Sequence, residues 1–126
     1  MNITFFYTAI LAILFVVLSL RTIRLRRKLK ISVGDAGNLH MLRAVRVHSN
    51  FSEYVPLSLL LIYFVEMKTT SAIFVHALGF SLLFGRIVHA FGLGQVEEDF
   101  RFRVFGMAIT LTVILSCAGF LIFSFF

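Results

Sequence analysis

Residues 3–20 read Ile3-Thr4-Phe5-Phe6-Tyr7-Thr8-Ala9-Ile10-Leu11-Ala12-Ile13-Leu14-Phe15-Val16-Val17-Leu18-Ser19-Leu20, and Arg21-Thr22-Ile23-Arg24-Leu25-Arg26-Arg27-Lys28-Leu29-Lys30 follows at once. The first stretch holds no charge. It is close to the roughly 20 apolar residues a helix needs to cross a hydrocarbon core. A secretory signal carries its cations before the apolar run and a small-residue cleavage site after it. Here six cations follow the run and no cleavage motif is present, so the segment reads as a retained membrane anchor.

Working outward, Val104–Phe126 is a second uncharged run, and Thr69–Gly85 is a third that extends past Arg86 to about Phe91. Between Glu53 and Glu66 only Tyr54–Val65 is apolar, too short to span alone. Its helix must therefore carry Glu53 and the residues before it into or near the membrane. The pattern predicts helices at about 3–29, 39–66, 70–93 and 100–126 in a single domain, 1–126. Hydrophobic residues make up 60 % of the chain and charged residues 14 %. A soluble domain of this size needs more polar residues to cover its surface. With 16 Phe and one Pro, a loop-rich or disordered chain is excluded. The fold class is all-α integral membrane, a four-transmembrane-helix bundle. Asn38, Thr70 or Ser71, and Asp99 are placed to cap helices 2, 3 and 4, and Gly94 to end helix 3 in a left-handed conformation.

Lys and Arg at helix ends favour the cytoplasm. Six follow helix 1, and Arg101 and Arg103 flank the third connection, whereas the second offers only Glu66 and Lys68. This places connections 1 and 3 in the cytoplasm and both termini outside. The net charge of +6 is then a topological signal with attraction to anionic membrane lipid. No soluble domain is available to carry a nucleic-acid-binding patch, so nucleic acid is not an expected partner.

The chemistry points to helix 2. Arg43, Arg46, Asn50 and Glu53 are spaced by three, four and three residues and form one stripe on a helix. Charges at membrane depth are costly and usually mark a functional site in a bundle interior. The alternative is an Arg46–Glu53 ion pair that only locks helices together. Pro56 leaves the Ser52 carbonyl without its helical donor and is expected to bend the helix just beyond the stripe. Cys117 sits deep in helix 4, where burial leaves a thiol inert. His40, His48, His76 and His89 lack zinc-ligand spacing, so no metal is expected. Gly79, Gly85, Gly92, Gly106 and Gly119 are read as close helix contacts.

The series Arg46, three residues, Asn50, two residues, Glu53-Tyr54, with Pro56 beyond, resembles the helix-2 signature of the MAPEG family, the membrane-associated proteins of eicosanoid and glutathione metabolism. Gly85-Arg86-Ile87-Val88-His89 is similar to helix 3 of that family's prostaglandin E synthases, as is Arg24-Leu25-Arg26-Arg27-Lys28 with Asp35 beyond. The resemblance implies a homotrimer with glutathione as co-substrate, held on the cytoplasmic side between subunits. It assigns Arg46, Asn50, Glu53 and Tyr54 to the tripeptide, with Arg24 reaching it from the adjacent subunit. His89 is a further ligand candidate and His48 a weaker one. Arg103 is the implied catalytic residue that stabilises the thiolate, with Arg101 as the alternative if the register differs. Arg86 is read as a structural partner of helix 2. Leu93 stands where the prostaglandin E synthases place a Tyr near the thiol, which leaves Arg103 to do most of the activation.

The implied function is a glutathione transferase or peroxidase acting on lipophilic electrophiles, in a bacterial inner membrane in preference to the endoplasmic reticulum. Two other readings stand beside it. One is a small four-helix proton-coupled transporter using Glu53; the other is a family member that has lost catalysis.

Overall fold

The computed structural model describes residues 2–126 as four helices: α1 (Ile3–Leu29), α2 (Leu39–Lys68), α3 (Ala72–Gly94) and α4 (Phe100–Phe123). Helices α1, α3 and α4 are each long and apolar enough to cross a membrane. Helix α2 has 30 residues, about 45 Å at 1.5 Å per residue, but carries the polar stripe that interrupts its apolar run. Pro56 lies inside α2 without ending it.

Short connections force neighbouring helices to run antiparallel. Helices α2 and α3 are central: each packs on the other, α2 also on α1 and α4, and α3 also on α1 and α4. Among the described residues α1 and α4 do not meet. The C-terminal ends of α1 and α3 therefore share one end of the bundle with the N-terminal ends of α2 and α4. All the cations after Leu20 in α1 gather there with Arg43, Arg101 and Arg103.

The helix ends show why the chain turns where it does. Asn38 Oδ1 accepts the Met41 N–H at 3.0 Å, Ser71 Oγ the Phe74 N–H at 3.3 Å, and Asp99 Oδ1 the Arg101 N–H at 3.0 Å. Each satisfies an amide the first helical turn leaves without a partner. The N-terminus of α1 has no cap from its own sequence. Glu66, 63 residues away, accepts the Ile3 and Thr4 N–H groups at 2.8 and 2.9 Å. A carboxylate also complements the positive end of the helix dipole. Glu66 thereby ties the end of α2 to the start of α1, a role that no local pattern reveals.

Gly94 does not end α3 in a left-handed conformation. It remains helical, and the chain leaves through Gln95 at φ −82°. Left-handed residues occur instead in the first connection, at Lys30, Gly34, Ala36 and Gly37.

The core is formed by Leu11 and Leu18 of α1, Phe51, Val55 and Ile62 of α2, Leu82 of α3 and Val113 of α4, among others. Between lipid-facing helices the hydrophobic effect gives little net drive, so close backbone approach matters more. A Cβ at Gly106 would lie 2.5 Å from the Gly85 carbonyl oxygen and 2.6 Å from the His89 nitrogen. A Cβ at Gly79 would clash with the Tyr7 ring. Gly119 is different: nothing lies within 4 Å of an added Cβ, so it makes no close helix contact. Gly106→Ala is expected to destabilise the protein by about 1–3 kcal/mol, because the obstacle is backbone and cannot rotate away. Gly119→Ala is expected to be neutral or to stabilise by up to about 1 kcal/mol. Thermal unfolding of both variants in detergent measures the contrast.

Candidate functional site

Helices α2, α3 and α4 enclose an open cleft of about 520 Å³ near the basic end of the bundle, lined by Arg46 and Asn50 of α2, His89 and Leu93 of α3, and Arg103 and Met107 of α4 among others. Each arrives by helical spacing. Arg46 and Asn50 are one turn apart on α2, His89 and Leu93 one turn apart on α3, and Arg103 and Met107 one turn apart on α4. The α3–α4 contact that puts His89 against α4 is possible because residue 106 has no side chain.

Behind these residues lies Arg86, 0 % exposed. Its Nη2 donates to Asn50 Oδ1 at 2.6 Å and stands 3.4 Å from His89 Nδ1. Its Nη1 reaches Thr110 Oγ1 at 3.5 Å, and its Nε has no partner. The guanidinium also lies 5.9 Å from the centre of the Phe51 ring. Arg86 forms no ion pair, since both ion pairs among the described residues belong to Glu98. A desolvated cation with no counter-ion is costly, and an anion in the adjoining cleft would offset that cost.

Glu98, in the connection between α3 and α4, receives Arg43 Nη1 at 2.6 Å and Arg103 Nη1 at 2.9 Å on a single oxygen. Arg103 also stacks on Phe100, its guanidinium carbon 5.0 Å from the ring centre. Arg103 is thus held at the cleft while Arg101, two residues earlier, is exposed and absent from the lining. Neither Glu98 nor Arg86 was assigned to the site from sequence. The three consecutive acids Glu97-Glu98-Asp99 gave no sign of which one turns inward. The sequence reads Arg86 as a structural partner of helix 2, and its hydrogen bond to Asn50 of α2 is such a contact.

The remaining expected site residues fall elsewhere in the single chain. Glu53 is exposed and forms no ion pair with Arg46, which is itself exposed, so the locking pair on α2 is absent. The two lie seven residues, about 10 Å, apart along α2, beyond the spacing at which side chains on one helix meet. Glu53 and half-buried Tyr54 lie further along the same stripe and do not line the cleft. His48 is turned away into the α1–α2 seam, with Nε2 2.9 Å from Ser19 Oγ and its ring stacked on Phe15. Arg24 lines a separate groove of about 550 Å³ with Arg21, Lys28 and His40. Cys117 is fully buried.

The arrangement suits an anionic ligand. It offers the guanidinium groups of Arg46 and Arg103, an amide and an imidazole, with buried Arg86 behind them and apolar Leu93, Val104, Met107 and Leu111 beside them.

Comparison with known proteins agrees with this architecture. The chain is 34 % identical over 109 residues to the inner membrane protein YecN of Escherichia coli strain K12, covering 86 % of this chain and 82 % of that protein. The same protein of Escherichia coli strain CFT073 matches with equal identity and coverage. The family model described as the MAPEG family matches residues 4–123, which takes in all four helices, and the chain therefore belongs to the MAPEG family.

Proposed function

We propose that the cleft binds glutathione and favours its thiolate for attack on lipophilic electrophiles dissolved in the bilayer, as a transferase or peroxidase. The observation that carries this is Arg86: a fully buried guanidinium without a carboxylate partner, aimed through Asn50 at a cleft that also holds Arg46, His89 and Arg103. Glutathione is an anionic tripeptide whose carboxylates match guanidinium forks. Its thiol, with pKa of about 8.5, needs a neighbouring cation to be ionised at neutral pH. The glutathione-binding reading is tested by titrating detergent-solubilised protein with glutathione. No binding at millimolar glutathione refutes it.

We further propose a homotrimer in a bacterial inner membrane, with the basic end of the bundle facing the cytoplasm. Exposed Arg46 and Glu53 are costly against lipid and call for a second chain to cover them. Arg24 lies on a flank apart from the cleft and reaches a bound tripeptide only from a neighbouring copy. The location is supported by the Escherichia coli relative's name. A stable monomer or antiparallel dimer by native mass measurement would overturn the assembly. The transporter reading would then return, with Glu53 as the proton-coupled carboxylate.

Arg46→Ala and Glu53→Ala distinguish residues within the cleft from residues that need the assembly. Arg46→Ala is expected to weaken glutathione binding by about 2 kcal/mol in any oligomeric state, the cost of removing one partner of a charged contact. Glu53→Ala is expected to do so only in the intact trimer. Calorimetry on trimeric and detergent-dissociated protein measures both.

A further inference from the structure

We infer that Glu98 is a positioning residue that fixes Arg103 at the cleft and tempers its charge. The inference rests on the reading of the cleft as a thiolate site. The Glu98 side chain is 3 % exposed, against 23 % for Arg43 and 35 % for Arg103. Its Oε1 accepts from both guanidinium groups, at 2.6 and 2.9 Å, while its Oε2 is buried and without a partner. The carboxylate's charge is therefore committed to these two cations, and the trio carries a net charge of about one where two arginines alone would carry two. Its backbone is set by the neighbouring Asp99, whose side chain caps the first turn of α4. Glu97 and Asp99 are exposed, so Glu98 alone of the three acids turns inward.

The position explains two features that a purely ligand-binding account leaves aside. Arg103 would otherwise be a long, half-exposed side chain losing rotamer entropy whenever it met a ligand; the Glu98 contact and the Phe100 ring hold it beforehand. The same carboxylate also holds Arg43 of α2, so the start of α2 and the start of α4 are bridged beside the cleft. The charged and titratable groups of the cleft beside this bridge are Arg46 from α2 and His89 with the deeper Arg86 from α3, while the flanking Glu97 and Asp99 are exposed to solvent. Apart from Glu98 none of the cleft groups is acidic. Removing its charge therefore raises the local positive potential, and a thiol in the cleft gives up its proton to bulk water at lower pH.

The test uses Glu98→Gln, which keeps a carbonyl acceptor for the arginines and removes the charge. In the glutathione complex, the thiolate absorbance of Glu98→Gln should titrate about one pH unit lower than wild type, a tenfold change in the ionisation constant. In the ligand-free protein, labelling of Arg103 by phenylglyoxal, read by peptide mass spectrometry, should rise several-fold. An unmoved thiolate midpoint beside a wild type that shows a thiolate overturns the tempering role. A wild type with no thiolate refutes the glutathione reading instead, and the labelling then decides alone: equal Arg103 reactivity in wild type and Glu98→Gln overturns the inference. If Glu98→Gln fails to fold, Glu98→Asp replaces it. Its arm is one methylene too short to span both guanidinium groups, so Arg43 or Arg103 labelling must rise; labelling equal to wild type overturns the inference.

Discussion

Replacing Arg86 with methionine is expected to stabilise the bundle and at the same time to remove most of its affinity for glutathione. Arg86 is 0 % exposed and makes no ion pair among the described residues. A buried unpaired charge loses its hydration without a Coulombic return, a cost of several kcal/mol. Against this, Arg86→Met gives up the bond to Asn50 and leaves that amide oxygen unsatisfied, worth about 1–3 kcal/mol. Methionine fills the space with a flexible, apolar chain already beside Met107, whose sulfur lies 3.9 Å from Arg86 Nη1. The net effect is a gain of about 1–2 kcal/mol, read as a higher unfolding temperature in detergent. Glutathione binding should fall by about tenfold or more, since the positive charge behind Asn50, which favours an anion in the adjoining cleft, is gone. A destabilised Arg86→Met with unchanged binding would make Arg86 a structural strut, as the sequence alone suggested.

Arg103→Leu is expected to lower turnover on the order of a hundredfold while weakening glutathione binding far less. That split marks an interaction stronger with the reacting form than with the resting ligand. The sign of the pH effect follows from the charge. A cation beside the thiol favours the thiolate, so its removal moves the ionisation to higher pH. The thiolate absorbance should vanish at neutral pH and return only in alkali. The loss of Arg103 leaves Glu98 and Arg43 as a neutral pair, so the net positive charge of that trio is gone from beside the cleft. Arg101→Leu is the control: exposed and outside the cleft, it should leave turnover and absorbance unchanged. Leu93→Tyr gives the converse, because Leu93 lines the cleft and a hydroxyl there can donate to the sulfur. Turnover that survives Arg103→Leu, with absorbance intact, would exclude Arg103 as the activating group.

The sequence by itself determined that the chain is helical, four times over, and that three of the helices suit a membrane. Hydropathy is a local sum along the chain, and the runs Ile3–Leu20, Thr69–Gly85 and Val104–Phe126 state it without help from any distant residue. Asn38 and Asp99 were equally legible, and Ser71 as one of two neighbours with Thr70, since a cap acts on amides two or three residues away. The same local logic failed for Glu66, which caps a helix 62 and 63 residues distant, and for Gly94, where the α3–α4 connection leaves through Gln95 instead. What only the tertiary structure decided is the rotation of each helix about its axis. That rotation turns Arg103 rather than Arg101 into the cleft, sends His48 to Ser19, and leaves Glu53 outside the cleft that Arg46 and Asn50 line. It also joins Arg86 to Asn50 and Glu98 to two arginines, pairings separated by 36, 55 and 5 residues. Spacing fixes which residues share one helix face; which faces meet is set by packing across helices, where a missing side chain at Gly106 counts for as much as any charge.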